Sequence, residues 1–365
     1  MRSVGVEEEL LLVDGECGEP RALSSAVLAM AARDQHGADE VFEAELHRQQ
    51  LEFATRPCDT TADLAREIVR WRAAAARHAA TLGAAIAALA TSPLPVNPTV
   101  GTGPRHRWLE EQFGLTTQEQ LTCGCHVHVS VESDEEGVAI LNRIRPWLSV
   151  LLALSANSPF WQGKDSRYSS YRSRVWGRWP SAGPVELFDG ADAYHRQISA
   201  MVATGVLRDE GMIYFDARLS AAHPTVEVRV ADVCLDASTT VLLAILVRGL
   251  AETAARQWRA GEPPAAHPVA LLRLAAWRAS RSGLDGELVC PELMRPVPAA
   301  SAVESLFAHV RPALEDAGDL DEARSRLARL LHEGNGARVQ REALTRTGSL
   351  RDVVDACVRR TGQSD

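Results

Sequence analysis

The segment Val4-Gly5-Val6-Glu7-Glu8-Glu9-Leu10-Leu11-Leu12-Val13 decides how the chain is read. In an extended strand successive side chains point to opposite faces. Glu7 and Glu9 then share one face, while Val6, Glu8 and Leu10 share the other. Three further segments alternate in the same way. In Gln50 to Ala54, Gln50 and Glu52 point one way and Leu51 and Phe53 the other. In Cys123 to Val131, Cys123, Cys125, Val127, Val129 and Val131 form an apolar face and leave Gly124, His126, His128 and Ser130 opposite. Val226, Val228 and Val230 leave Glu227 and Arg229 together. Each strand has an apolar side for helices to cover. The second side carries carboxylates, imidazoles or guanidinium groups instead of neutral solubilising residues, so a sheet with one functional face follows.

Between these strands the apolar spacing turns helical. Residues 61 to 82 read as a helix with Thr61 as its cap, Asp63 and Glu67 in its first turns and Gly83 closing it. Residues 134 to 156 and 237 to 259 read as helices too. There is no internal repeat, and the longest linker-like stretch is the Pro- and Gly-bearing segment 261–268. One domain over 1–365 is expected.

Hydrophobic residues make up 46% of the chain and charged residues 24%, an ordinary globular composition. Lys plus Arg is 39 against 48 Asp plus Glu, a net charge of -9 without a basic patch, which argues against nucleic acid as a partner. Glu7, Glu8 and Glu9 stand where a secretory leader needs an apolar run. The Ala-rich stretch from Ala79 to Val96 is broken by Gly83, Pro93 and Pro95, so no membrane span is expected there. The seven cysteines (17, 58, 123, 125, 234, 290 and 357) are scattered without a C-x-x-C pair, as suits reduced thiols in a cytoplasmic protein.

Glu7, Glu9, Glu52 and Glu227 would repel one another if they converged, so a convergent set calls for cations. Magnesium fits, because it takes oxygen ligands and bridges carboxylates to substrate phosphates. Cys123-Gly124-Cys125-His126-Val127-His128 has the residue types of a zinc site, but strand alternation puts its thiols and imidazoles on opposite faces. His126 and His128 are candidates for binding substrate or phosphate. Arg172, Arg174 and Arg178 lie in an aromatic-rich loop from Trp161 to Trp179, where planar forks suit carboxylate or phosphate. No P-loop, dinucleotide fingerprint or hydrolase elbow occurs, so any ATP would be held mainly through metal ions.

These segments, together with Leu154-Ser155-Ala156-Asn157-Ser158-Pro159-Phe160-Trp161 and Pro224-Thr225-Val226-Glu227-Val228-Arg229-Val230-Ala231-Asp232, closely resemble the carboxylate-amine ligase family, also called glutamate-cysteine ligase type 2, of the glutamine synthetase-like superfamily. The resemblance covers about residues 3–290, with residues 291–365 helical and without a strong motif. It implies an α+β, glutamine synthetase-like fold: a curved, mainly antiparallel sheet with the active site on its concave face and helices packed behind. By position it implies that Glu7, Glu9, Glu52 and Glu227 bind metal, that His126 lies near metals and phosphates, that Arg229 is a phosphate-side cation and that Arg172 is the substrate-loop arginine. Where the family usually has Asp-Thr-Gly-Tyr, this chain has Asp165-Ser166-Arg167-Tyr168. Arg167 is thereby a candidate for pairing with a carboxylate on the amine substrate. Ala275 replaces an Asn common in the family.

The implied activity is an ATP- and Mg2+-dependent ligase joining a small-molecule acid to an amine through an acyl phosphate, with glutamate and cysteine as the first choice of substrates. A specialised ligase for another acid and amine is the alternative. A metal-dependent amidohydrolase using His126 and His128, and a silent nucleotide-binding scaffold, are the rivals from other classes. Homo-oligomerisation is left open. Glu8, facing away, is expected to tolerate substitution better than Glu7 or Glu9.

Overall fold

The computed structural model describes residues 2–34 and 41–363. Its strands are β1 (Val4–Asp14), β2 (Phe42–Ala44), β3 (Gln50–Ala54), β4 (Ala84–Ala87), β5 (Gly124–Ser130), β6 (Phe160–Trp161), β7 (Lys164–Asp165), β8 (Ala217–Leu219), β9 (Thr225–Asp232), β10 (Glu287–Val289) and β11 (Pro296–Pro298), the last two pairing only with each other. The main sheet runs β2-β3-β1-β5-β9-β8, and β4 pairs with the end of β1 beyond β5. Its pairings are antiparallel throughout. The alternating segments of the sequence therefore form adjacent strands of one sheet.

The register aligns the polar residues. Glu9 lies opposite Glu52, Glu7 opposite His126, and Glu227 opposite both His128 and Arg218. A shift in the β5–β9 ladder between Cys125 and Val127 falls at His126. Such irregularities re-aim a side chain. On the other face Val6, Cys125, Val127, Val129, Val226 and Val228 are buried, and the helices Thr61–Ala80 and Ala237–Arg259 pack there. The fold is thus the expected antiparallel sheet with helices behind it.

Two helix readings are corrected. The Thr61–Ala80 helix is capped by Thr60, not Thr61: the Thr60 hydroxyl accepts from the Asp63 N–H. Residues 134–156 are not one helix. Asp134–Ile144 and Leu148–Ser155 are separated by a 3₁₀ turn at Arg145–Trp147, where Pro146 supplies no backbone donor. Among the described residues two apolar stretches, Asp134–Ser155 and Ala237–Arg259, are long enough to cross a membrane, and both are mostly buried inside the protein.

The C-terminal part is helical as expected, with Ala299–Ala317, Leu320–Glu333, Gly336–Thr347 and Leu350–Thr361. It also braces the polar face from a distance. Gln340 donates to the Asn157 side chain at 2.7 Å, and Asn335 donates to the Ala153 carbonyl at 3.0 Å. Gly336 packs so tightly on Asn157 that a Cβ there would lie 2.0 Å from its Oδ1.

Candidate active site on the polar sheet face

The polar face of β1, β3, β5 and β9 brings together Glu7, Glu9, Glu52, His126, His128, Glu227 and Arg229. Glu7, Glu9, Glu52, His126 and Arg229 line one cavity of about 320 Å³; His128 sits beside it against Glu7, and Glu227 against Arg229. On this face the carboxylates fall into two groups with different electrostatics.

The first group is compensated. His126 Nδ1 lies 3.0 Å from Glu7 Oε2, and His128 Nε2 lies 3.1 Å from Glu7 Oε1. Burial alone would raise Glu7, but its hydrogen bonds with His126 and His128 hold it well below the usual carboxylate range. Burial likewise opposes ionisation of Glu227, yet Arg229 and then Arg218 bring it down to about 2. Arg218 Nε donates to Glu227 Oε2 at 2.7 Å, and Arg229 donates to Glu227 Oε1. Ligand atoms of Glu7, His126 and Glu227 all fall within 4.8 Å of one another, the spacing a single ion could span.

The second group is not compensated. Burial first, and then the charge of Glu45, push Glu9 up to about 7, although Arg172 and the Gly124 N–H, donating at 2.6 Å, pull the other way. Burial raises Glu52 well above its ordinary value too, reinforced by Glu45, Glu7 and Glu9. A buried carboxylate beside like charges resists ionising unless a cation arrives.

His126 joins the groups. Burial and the nearby Arg229 lower it to about 4, outweighing Glu7, so the imidazole is neutral at physiological pH. With Nδ1 engaged by Glu7, Nε2 presents its lone pair. That atom is buried without a hydrogen-bond partner among the described residues, 3.9 Å from Glu9 Oε1. The carboxylate oxygens around it are the donors that a hard divalent cation such as magnesium takes, and the open nitrogen, a softer donor, marks the spot as one that awaits a partner. Cys123 and Cys125 point into the apolar core, apart from this cluster.

Arg172 reaches the same face from outside the sheet. The buried Asp232, at the end of β9, accepts from the Asn157 N–H at 2.8 Å, from Ser158 Oγ at 2.7 Å and from Ser170 Oγ at 2.8 Å. Ser158 Oγ in turn accepts from the Arg172 N–H at 2.9 Å. Two motifs distant in sequence are therefore tied into the corner that sets Arg172. Its guanidinium lies over Gly124, where a Cβ would come within 2.3 Å of Nη2, so any side chain there would push the guanidinium out of its place.

Arg167 is not brought to this cavity. It lies in a separate one of about 380 Å³ with Asp165, Arg281, Asp285 and Arg341. Its φ is +66°, so the backbone adopts the left-handed conformation that a glycine would take there. Sequence reasoning missed several wall residues: Glu45, Arg105, Trp179, Tyr214 and Arg218. Glu45 lies between β2 and β3 outside any alternating run, and Arg218 lies on a three-residue strand too short to show a pattern.

The profile of glutamate-cysteine ligase family 2 matches residues 3–356. The chain belongs to that family. A provisionally named glutamate–cysteine ligase 2-1 of Streptomyces avermitilis is 65% identical over 361 residues, covering 99% of each chain. A similarly named protein of Streptomyces coelicolor is 64% identical over the same share. Among solved structures, the crystal structure of glutamate–cysteine ligase from Francisella tularensis in complex with AMP superposes with a TM-score of 0.71 at 14% identity, covering 99% of this chain and 88% of that one. A bifunctional glutathione synthetase from Pasteurella multocida gives a TM-score of 0.69 at 16% identity, over 99% of this chain and 52% of that one. These two likenesses establish the fold. As a member of family 2, the chain is a ligase of the carboxylate-amine type.

Proposed function

We propose that this ligase couples ATP hydrolysis to amide formation between glutamate and cysteine, with magnesium held by Glu7, Glu9, Glu52, Glu227 and His126. The observation that carries this reading is the mismatch between the two carboxylate groups: Glu9, buried, and Glu52, half-buried, stand beside Glu45 with too little positive charge to favour their ionised forms, in a cavity that also exposes guanidinium groups. Magnesium, when bound, would supply the positive charge that lets phosphate oxygens approach these carboxylates.

The protein's own residues account for the remaining tasks. A carboxylate at neutral pH is a poor electrophile with a poor leaving group, and phosphorylation cures both defects. Arg229, fixed by Glu227, offers a cation to the phosphoryl group in transfer. Arg172 lines the adjoining cavity and acts on Glu9 through space. His126, neutral and buried, suits a ligand role better than that of the base that deprotonates the amine.

The test is ADP release with magnesium across a panel of acids and amines. Release that requires glutamate together with cysteine supports the proposal. Release with another pair makes the protein a specialised ligase. Amide cleavage without ATP would make it an amidohydrolase and overturn the reading.

A further inference from the structure

A second cavity, of about 400 Å³, lies behind the first and shares Trp176, Trp179 and Arg229 with it. That volume is in the range of small-ligand sites. Arg172, Arg174, Arg178, Arg229 and Arg273 line it, together with a single acid, Asp216. Arg178 is taken up by Glu119, and Arg229 by Glu227. Arg172 Nη1 lies 4.0 Å from Asp232 Oδ1, and Arg174 Nη2 donates to the Ser173 carbonyl at 3.5 Å. Arg172 is 1% exposed, and among the described residues its Nε and Nη2 have no hydrogen-bond partner; the Arg174 Nε is buried and unpartnered as well. Buried donors left open in this way await an acceptor.

Asp216 is held by its backbone: its N–H donates to the Gly183 carbonyl, and its carbonyl accepts from the Arg229 N–H. Among the described residues its carboxylate makes no hydrogen bond or ion pair, although Arg174, Arg172 and Arg273 act on it through space. Burial pushes it up to about 6, which leaves it an anion at pH 8. One wall thus offers open guanidinium N–H donors for a carboxylate, and another offers an unpaired carboxylate for a cation.

We infer that this cavity binds the zwitterionic head of an α-amino acid, with its carboxylate on Arg172 and Arg174 and its ammonium on Asp216, and that the head belongs to the acid substrate. The assignment rests on the ligase reading above. It follows from what each substrate keeps during amide formation. The acceptor must present a neutral amine, and that nitrogen is consumed in the new bond. An amino acid activated at its side-chain carboxyl keeps both charges of its head throughout. A site with fixed groups of both signs suits the latter, and the shared Trp176–Arg229 wall lets the side chain extend toward the carboxylate cluster. Asp216 is on this account the residue that distinguishes an amino acid from a plain diacid.

The experiment compares glutamate with glutarate, which lacks the ammonium. In the parent, calorimetry without ATP should show glutamate binding at least about tenfold more tightly, by the scale of a charged hydrogen bond. Equal binding, or none of glutamate, overturns the inference whether or not the ligase reading holds. In ADP-release assays at pH 8, Asp216→Asn should narrow the glutamate-to-glutarate ratio of kcat/KM by about ten- to a hundredfold, mainly through KM. An unchanged ratio, or a rise confined to the KM for ATP, overturns it. A parent that releases ADP with neither acid counts against the ligase reading alone, and the calorimetric comparison then decides the inference. The same comparison decides it if Asp216→Asn fails to fold.

Discussion

Glu8 stands between Glu7 and Glu9 on one strand, yet the two faces of β1 treat the same carboxylate in opposite ways. On the helix side Glu8 is fully buried and saturated: Arg72 donates to both its oxygens at 2.8 and 2.7 Å, and Thr240 donates at 2.6 Å. Burial pulls Arg72 down, but Glu8 more than reverses it. On the polar side Glu9 is buried and Glu52 half-buried, with too little positive charge around them. A buried charge that is paired holds the fold together. One that is unpaired is a binding site waiting for a cation.

The comparison breaks most visibly at Glu8. Glu8→Gln leaves Arg72 buried without its counterion and should cost about 3–5 kcal/mol of stability, read by denaturant unfolding. The sequence led us to expect tolerance because Glu8 faces away from the metals. The direction is right, but the charge is clamped by Arg72 and Thr240, not screened. Glu8→Gln combined with Arg72→Met should recover part of the loss, and failure to do so would place the strain elsewhere.

On the opposite face Glu52→Gln should leave the protein folded and lower turnover by about 10² to 10³. More than half of parental activity at saturating magnesium would remove Glu52 from the site. A cation's benefit should also depend on pH. Glu9 rises from its ordinary 4.5 to about 7 in the folded state, so without metal its contribution to stability is lost as pH climbs from 4.5 through 7. Thermal unfolding should therefore show magnesium stabilising the protein more at pH 8 than at pH 5. A stabilisation independent of pH would mean that Glu9 is not a ligand. The smallest effect is expected at Arg167, outside the cavity. Arg167→Gly relieves a left-handed backbone worth about 1 kcal/mol and should leave relative rates on cysteine, other amino acids and alkylamines unchanged. A shift among them would bring Arg167 back to the acceptor.

The sheet and its working face were legible because period-two alternation is local: Glu7, Glu9, Glu52, His126, Glu227 and Arg229 each declare their face within a few residues. What alternation cannot show is who lies across the next layer. The Arg72 clamp on Glu8 joins residues 64 positions apart. The Asp232 knot that sets Arg172 joins residues 62 to 75 positions apart. Glu45, Asp216 and Arg218 had no signal at all, since short strands and loops carry no period. The break at Pro146 was visible in the sequence, but apolar spacing on either side concealed it.

Direct titration of magnesium into the metal-free protein, followed by calorimetry with and without ATP, tests the central claim most closely. The parent should bind magnesium, more tightly when ATP is present, while Glu7→Gln and Glu52→Gln should each weaken binding about tenfold or more. If the parent takes up neither magnesium nor its ATP complex, or if both variants bind like the parent, the carboxylate face is not a cation site and the account built on it fails.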